Sequence, residues 1–524
     1  MRVLGAALLF AAAASETFVL QPWCSNSFRV QVAPASPSAA TSAAQARLRA
    51  TLDAHGESEL PAALIDDCGP GAPVTPAPGG APVASGNLLA AALADGSLRF
   101  SRADSGAVLF TARATVEAPS YANSCAVGVG AGHQIFVADN MTLAAAAAWC
   151  DANSSCAAFA SEAAASATCG AALDDSVGRR VVFQSAAEAS YDAAWLTFVK
   201  PPNASSPLFG FLVAKVNVTA GDDANERVFG LGQGNWTAQG SCPSGAQRVV
   251  PLQRNGQVVS LQQLKFNVGI PLAFSTAGYM FLFNMPGAGR VSVGALGVGG
   301  ALWEAQAALA LDFWVSAAPA GADVRGAAPA LYRQYADATG HAPLLRADAQ
   351  LFWQSRNRYK SSDAAMGVAA RYAELALPVG VLVVDYKNQV QDGDFAPNPR
   401  CYPSVAALVA GVRAALNATL FFSFWPEVLP SSPNYAPFRA LGCLINADLG
   451  GLAVDSTVPA CRDHIWQGFL KPNYYDQGVS AYWLDETDGA GTAGGYDTSF
   501  GPAAAYTSAY TSRSPRPRPA RAPL

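Results

Sequence analysis

The chain has 524 residues and a formal net charge of −5, with 51% hydrophobic and only 14% charged residues. That length suits about two to four domains, and the apolar fraction belongs to a core-building globular chain rather than a disordered one. Acids and bases are mixed along the sequence, which argues against nucleic acid as a partner.

Residues 1–15, MRVLGAALLFAAAAS, carry one arginine, a short apolar run and small residues at the end. This predicts a secretory signal peptide cleaved near Ala14 or Ser15. The run is shorter than the roughly 20 apolar residues a membrane span needs, and no later stretch reaches that length. Six Asn-x-Ser/Thr sequons agree with export: Asn140, Asn153, Asn203, Asn217, Asn235 and Asn417. The expected place is the secretory pathway, ending outside the cell or in a vacuolar or lysosomal compartment. In an exported chain the ten cysteines read as disulfides. The four histidines lie far apart without CxxC partners, so neither a metal site nor a cofactor is expected.

Residues 70–85, PGAPVTPAPGGAPVAS, read as a linker or long loop. The following LLAAALADGSLRFSRADSGAVLF alternates apolar and polar residues around Asp-Gly and Ser-Gly turns, the pattern of a β-meander. The same texture returns over residues 208–315, in FGFLVAKVNV, VFGLGQGNW, PLAFSTAGYMFLFN and LALDFWVSA. Together they predict an N-terminal antiparallel β-sandwich over 16–118 and 201–345. Residues 119–200 break in with TLAAAAAWCDANSSCAAFA, read as helical, and with Cys125, Cys150, Cys156 and Cys169. Four cysteines allow three pairings, which sequence does not resolve. This Cys-rich insert resembles apple/PAN-type modules; it is a binding element or a plain structural one.

From residue 346 the rhythm becomes strand–helix–strand. AQLFWQSRN reads as a strand and SSDAAMGVAARYAELAL as a capped helix ending before Pro378. GVLVVDY is a buried strand, SVAALVAGVRAAL a helix, and TLFFSFWP a third strand. ACRDHIWQGFLKPNYYDQG then leads by a helix and a glycine turn into SAYWLDE. Four βα units with apolar strands predict parallel pairing under helices. Asp385, Trp425 and Asp485 fall at the C-terminal strand ends, the catalytic side of a (β/α)8 barrel.

Asp485 follows Tyr482-Trp483-Leu484. Aromatic rings stack on the apolar face of a sugar while a carboxylate attacks its anomeric carbon, and retaining glycosidases place two carboxyls about 5–5.5 Å apart for this purpose. An EF-hand counted from Asp485 would require Gly at its sixth position and Glu at its twelfth; Ala490 and Tyr496 stand there. G-x-S-x-G does not occur, which removes the hydrolase elbow. GLGQG, at 230–234, reads as a tight β-turn.

Taken together, SFRVQVAP (27–34), DGSLRFSRADSG (95–106), VFGLGQGNW (228–236), PLAFSTAGYMFLFN (271–284), ALYRQYADATGHAPL (330–344), FWQSRNRYKS (352–361), VLVVDY (381–386), GDFAPNPRCYPS (393–404), FFSFWPEV (421–428), DSTVPACRDHIW (455–466) and YYDQGVSAYWLDETD (474–488) resemble, in order, glycoside hydrolase family 31. These are the retaining α-glycosidases, and the QSRNRYKS and WLDE versions look closest to α-xylosidase-like members. The resemblance implies a galactose-mutarotase-like sandwich, a (β/α)8 barrel and a glycoside or oligosaccharide substrate with terminal α-linked glucosyl or xylosyl residues. It implies Asp485 as the nucleophile, Asp385 holding sugar hydroxyls, and Trp425 and Trp483 as walls of the same subsite. Asp488 stands where the family usually has Glu and Gly489 where Pro is common, so the contact of Asp488 with the nucleophile region is in question.

The family's acid/base is an Asp on a later strand. Here the chain runs into RSPRPRPARAPL (513–524), with four Arg and four Pro in twelve residues and neither Asp nor Glu. The expectation is the first half of the barrel over 346–512, a tail foreign to the fold, and no hydrolysis by the chain as written. The alternative is a non-catalytic secreted glycoprotein that binds glycans or partners through the sandwich and the insert. No feature of the sequence fixes the oligomeric state.

Overall fold

The computed structural model describes residues 17–33, 64, 68–117, 122–124, 134–141, 145–146, 158–162, 179–184, 195–199, 212–233, 252–261, 268–285, 289–294, 299–308, 310–322, 324–342, 344–444, 452–454 and 459–485. The described residues up to Gly340 form one compact unit and those from His341 a second.

In the first unit, alternating sequences build two antiparallel sheets. The six-stranded sheet runs, in spatial order, Thr17–Pro22, Ser27–Ala33, Leu311–Ala317, Tyr279–Leu282, Val268–Ser275 and Val228–Gln233. The eight-stranded sheet runs Val258–Ser260, Gly289–Val293, Ala301–Ala308, Leu212–Ala220, Val108–Glu117, Leu98–Arg102, Leu88–Ala92 and Val83–Ser85. Both contribute side chains to one apolar core. Phe110 of the larger sheet meets Tyr279 of the smaller with ring centroids 4.8 Å apart, and Phe281 meets Trp303 at 5.0 Å.

The smaller sheet is covered on its other face as well. Met280, Leu282 and Trp314 alternate away from the shared core and pack with Trp23 and with Ala327, Leu331 and Ala338 of the helix Val324–Thr339. That double burial is why YMFL is apolar at all four positions instead of alternating.

Of the two readings offered for residues 70–85, the loop holds over 70–82, and Val83–Ser85 is a strand. Val74 exchanges backbone hydrogen bonds with Leu20 at 2.7 and 2.8 Å, and Cys68 is disulfide-bonded to Cys24. Two local readings change. The GLG of VFGLGQ is not a turn but an irregular strand. Gly230, Leu231 and Gly232 all have positive φ, and the pairing register shifts between the two glycines. A Cβ on Gly230 would stand 2.4 Å from the Leu272 carbonyl oxygen, so only glycine lets the neighbouring strand come this close.

Within 119–200 the described residues form a five-stranded antiparallel sheet, ordered Ala122–Ser124, Trp195–Val199, Ala158–Glu162, Arg179–Gln184, Gln134–Met141. Helical backbone is recorded at 145–146, but Ala158–Glu162, expected to end a helix, is a central strand. Pairing on both sides outweighs the helical preference of its alanines. The insert's four cysteines lie outside the described residues.

The second unit is a four-stranded parallel sheet in sequential order: β1 (Phe352–Asn357), β2 (Val379–Asp385), β3 (Thr419–Phe424) and β4 (Ala481–Leu484). Helix α1 (Ser362–Glu374) follows β1, and α2 (Val405–Leu416) follows β2. Both start as the sequence predicts, with the Ser361 and Ser404 hydroxyls accepting from the Ala364 and Ala407 amides at 3.2 and 3.1 Å. Between β3 and β4 come α3 (Tyr435–Ala440) and α4 (Pro459–Ile465), the latter continuing as a wider π-type winding over Trp466–Tyr475. A disulfide joins Cys443 to Cys461. No helix of the described residues is long and apolar enough to cross a membrane.

Candidate functional site

Strand alternation sorts the side chains of the parallel sheet onto two faces. Leu382 and Val384 of β2, Leu420, Phe422 and Phe424 of β3, and Tyr482 of β4 pack with the helices in the second core. The opposite face therefore receives Val381, Val383 and Asp385, then Phe421 and Ser423, then Ala481 and Trp483. The register aligns them: Val383 pairs with Phe421, Phe421 with Ala481, and Ser423 with Trp483. Asp485 continues the ladder by one step, its amide donating to the Phe424 carbonyl at 2.9 Å.

Asp385 is thus the last residue of β2, Trp425 directly follows β3, and Asp485 directly follows β4. All three lie at the C-terminal edge of the sheet. Asp385 is half-buried and accepts the Tyr386 amide at 3.1 Å. Trp483 is 38% exposed. Asp488 lies outside the described residues.

The structure adds residues that the sequence did not single out. The Tyr386 ring lies flat on Trp425, with centroids 4.5 Å apart and planes 5° apart. Lys387 binds Asp392 at 2.6 Å. Asn388, fully buried, accepts from the Tyr474 hydroxyl at 2.6 Å and donates to the Ser423 carbonyl at 3.4 Å. The only signal for these was the polar, aromatic character of YKN directly after a buried strand. Nothing in that spacing names their partners.

Burial sets the local electrostatics. Desolvation raises the phenols of Tyr474 and Tyr482 well above the ordinary tyrosine value, and the Tyr402 phenol is pushed up to about 12, chiefly by burial with Cys401 adding to it. These hydroxyls stay protonated and act as donors: Tyr402 to the Tyr359 carbonyl at 2.6 Å and Tyr482 to the Val479 carbonyl at 3.1 Å. The Ser423 hydroxyl, the Trp425 indole N–H and one Asp392 oxygen are buried with no hydrogen-bond partner among the described residues. All three belong to the C-terminal side of the sheet.

This segment is similar to known proteins. Residues 342–510 match the family described as glycosyl hydrolases family 31 TIM-barrel domain. Alpha-xylosidase A of Aspergillus niger is 30% identical over 267 residues, which cover 48% of this chain and 35% of that protein. An alpha-xylosidase of Saccharolobus solfataricus is 30% identical over 268 residues, covering 50% of this chain and 34% of that one. The chain thus aligns with about a third of the length of these relatives. The crystal structure of a family 31 alpha-xylosidase from a soil metagenome, complexed with xylose, superposes with a TM-score of 0.59 at 20% identity, covering 95% of this chain and 60% of that one. This last likeness is one of fold.

Proposed function

From a family 31 barrel segment over residues 342–510, we propose that the protein is a retaining α-glycosidase acting on terminal α-linked xylosyl or glucosyl residues. β1 to β4 and their helices are the first half of a (β/α)8 barrel, and the two antiparallel sheets are its galactose-mutarotase-like companion. The observation that carries this reading is the placement of Asp385, Trp425 and Asp485 at the C-terminal edge of a parallel sheet, with Trp483 in β4, where barrel enzymes do their chemistry. The disulfides Cys24–Cys68 and Cys443–Cys461 support a place in the secretory pathway.

In this mechanism a carboxylate oxygen of Asp485 attacks the anomeric carbon as the bond to the leaving oxygen breaks, and a second carboxyl gives that oxygen its proton. Water then displaces the aspartyl ester with the same carboxyl acting as base. Asp385 holds ring hydroxyls, and Trp425 and Trp483 present apolar faces to the pyranose.

The first half-reaction can be tested alone, because fluoride departs with little acid assistance. A 5-fluoro-xylosyl fluoride should esterify the peptide containing Asp485 in the full chain, and Asp485→Asn should abolish the labelling; nucleophile losses run to several powers of ten. Labelling of another carboxylate removes Asp485 from the role. Xylose binding without any labelling would instead favour a non-catalytic glycan-binding protein.

A further inference from the structure

Directly after Asp385 the chain takes a left-handed step. Lys387 has φ +57°, a conformation uncommon for a long side chain and concentrated at functional sites. At this step the Tyr386 ring lies on Trp425, and the Lys387 ammonium stands 5.2 Å from the Tyr386 ring centroid and 2.6 Å from Asp392 Oδ2. Cation, phenol and indole therefore form one tier beside the strand end.

The tier is anchored below. The Asp392 side chain is 5% exposed, and its second oxygen has no hydrogen-bond partner among the described residues. Its backbone carbonyl accepts the Leu429 amide at 3.1 Å, tying it to the segment that carries Trp425. The Trp425 indole N–H has no hydrogen-bond partner among the described residues either, so no hydrogen bond of its own sets the tilt of that ring. What remains to orient it is the stack on Tyr386, and what braces Tyr386 is Lys387.

We propose that Lys387 is a positioning residue of the sugar site: held by Asp392, it braces Tyr386 against Trp425 and so fixes the plane that Trp425 offers to a pyranose. This rests on the reading of Trp425 as a wall of that site. Lys387 touches no substrate; it acts through two rings, by the attraction of a cation to an aromatic face and by an ion pair that leaves its stem little freedom.

The test is titration of the full chain with D-xylose, followed by tryptophan fluorescence, alongside near-ultraviolet circular dichroism of the stacked Tyr–Trp pair. Lys387→Met alone leaves a buried carboxylate without its cation, so the first variant is Lys387→Met with Asp392→Asn. Xylose binding should weaken about tenfold and the dichroism of the stack should fall, with the melting temperature held to within a few degrees. Lys387→Arg, which both pairs and stacks, should retain binding to within about threefold.

A second arm closes a mutant cycle. In a Tyr386→Leu background, adding Lys387→Met with Asp392→Asn should change binding no further, because the ring it acts through is gone. Unaltered binding in the first variant, or an undiminished loss in the Tyr386→Leu background, overturns the role of Lys387 while leaving the site reading intact. Wild-type chain that does not bind xylose, or binds it equally with Trp425→Ala, overturns the site reading and this inference with it.

Discussion

Gly393 shows how tightly single residues are held near the candidate site. Its φ is +94°, and a Cβ there would stand 2.5 Å from Val428 Cα and 2.7 Å from Val428 Cγ1. Val428 has little room to retreat, because its amide donates to the Leu452 carbonyl at 2.9 Å and the next amide donates to Asp392. Gly393→Ala should therefore cost about 2 kcal/mol or more, combining a left-handed conformation with a backbone clash. Urea unfolding would report it as a lowered midpoint at unchanged slope, and a midpoint equal to wild type would show that the loop yields freely. The strand-end positions of Asp385, Trp425 and Asp485 were legible in the sequence because the end of an apolar run is itself a sequence property. The link from Lys387 to Asp392 was not, since it depends on one left-handed φ that turns the chain back on itself. The Tyr386–Trp425 stack was hidden for a related reason: it joins two strand ends, and sequence places each without saying which rings meet.

At the scale of elements, the barrel segment follows local rules closely. Ser361 and Ser404 were readable as helix starts, and both hydroxyls accept the expected amides. Ser404→Ala should lower stability by about 1 kcal/mol through loss of the cap on α2, whose Val405, Leu408 and Val412 are buried in the second core. A matched Ser404→Asp variant, which also caps, should recover most of that loss in the same urea experiment; equal losses in both would mean that the hydroxyl packs rather than caps. Elements governed by partners instead of propensity escaped the sequence. Ala158–Glu162 looks helical and is a strand because two neighbours pair with it. The glycines of VFGLGQ look like a turn and form a bulged strand because Leu272 of the adjoining strand passes close to Gly230.

Across the whole molecule, the order of sheet types was legible because periodicity changes along the chain, from alternation in the first unit to continuous apolar runs separated by helices in the second. Both units also bury tyrosines, and this gives the chain a defined alkaline limit. Burial raises Tyr279 in the first unit, with Glu226 beside it adding to the effect, and raises Tyr402, Tyr474 and Tyr482 in the second. A phenol ionises by losing a proton, so a raised folded value means the native state holds its proton where the unfolded chain has released it. The stabilisation is complete below the unfolded value near 10.0 and is lost as pH rises toward the folded value of about 12 for Tyr402. Stability measured by urea should therefore be level with respect to these groups up to about pH 10 and fall steadily above it. The phenolate absorbance of the buried tyrosines should rise together with the loss of far-ultraviolet circular dichroism, since ionisation waits for unfolding. If every tyrosine ionised in one early step with the dichroism unchanged, the buried phenols would be in contact with water, and the packing described for Tyr402 and Tyr474 in the second core would be wrong.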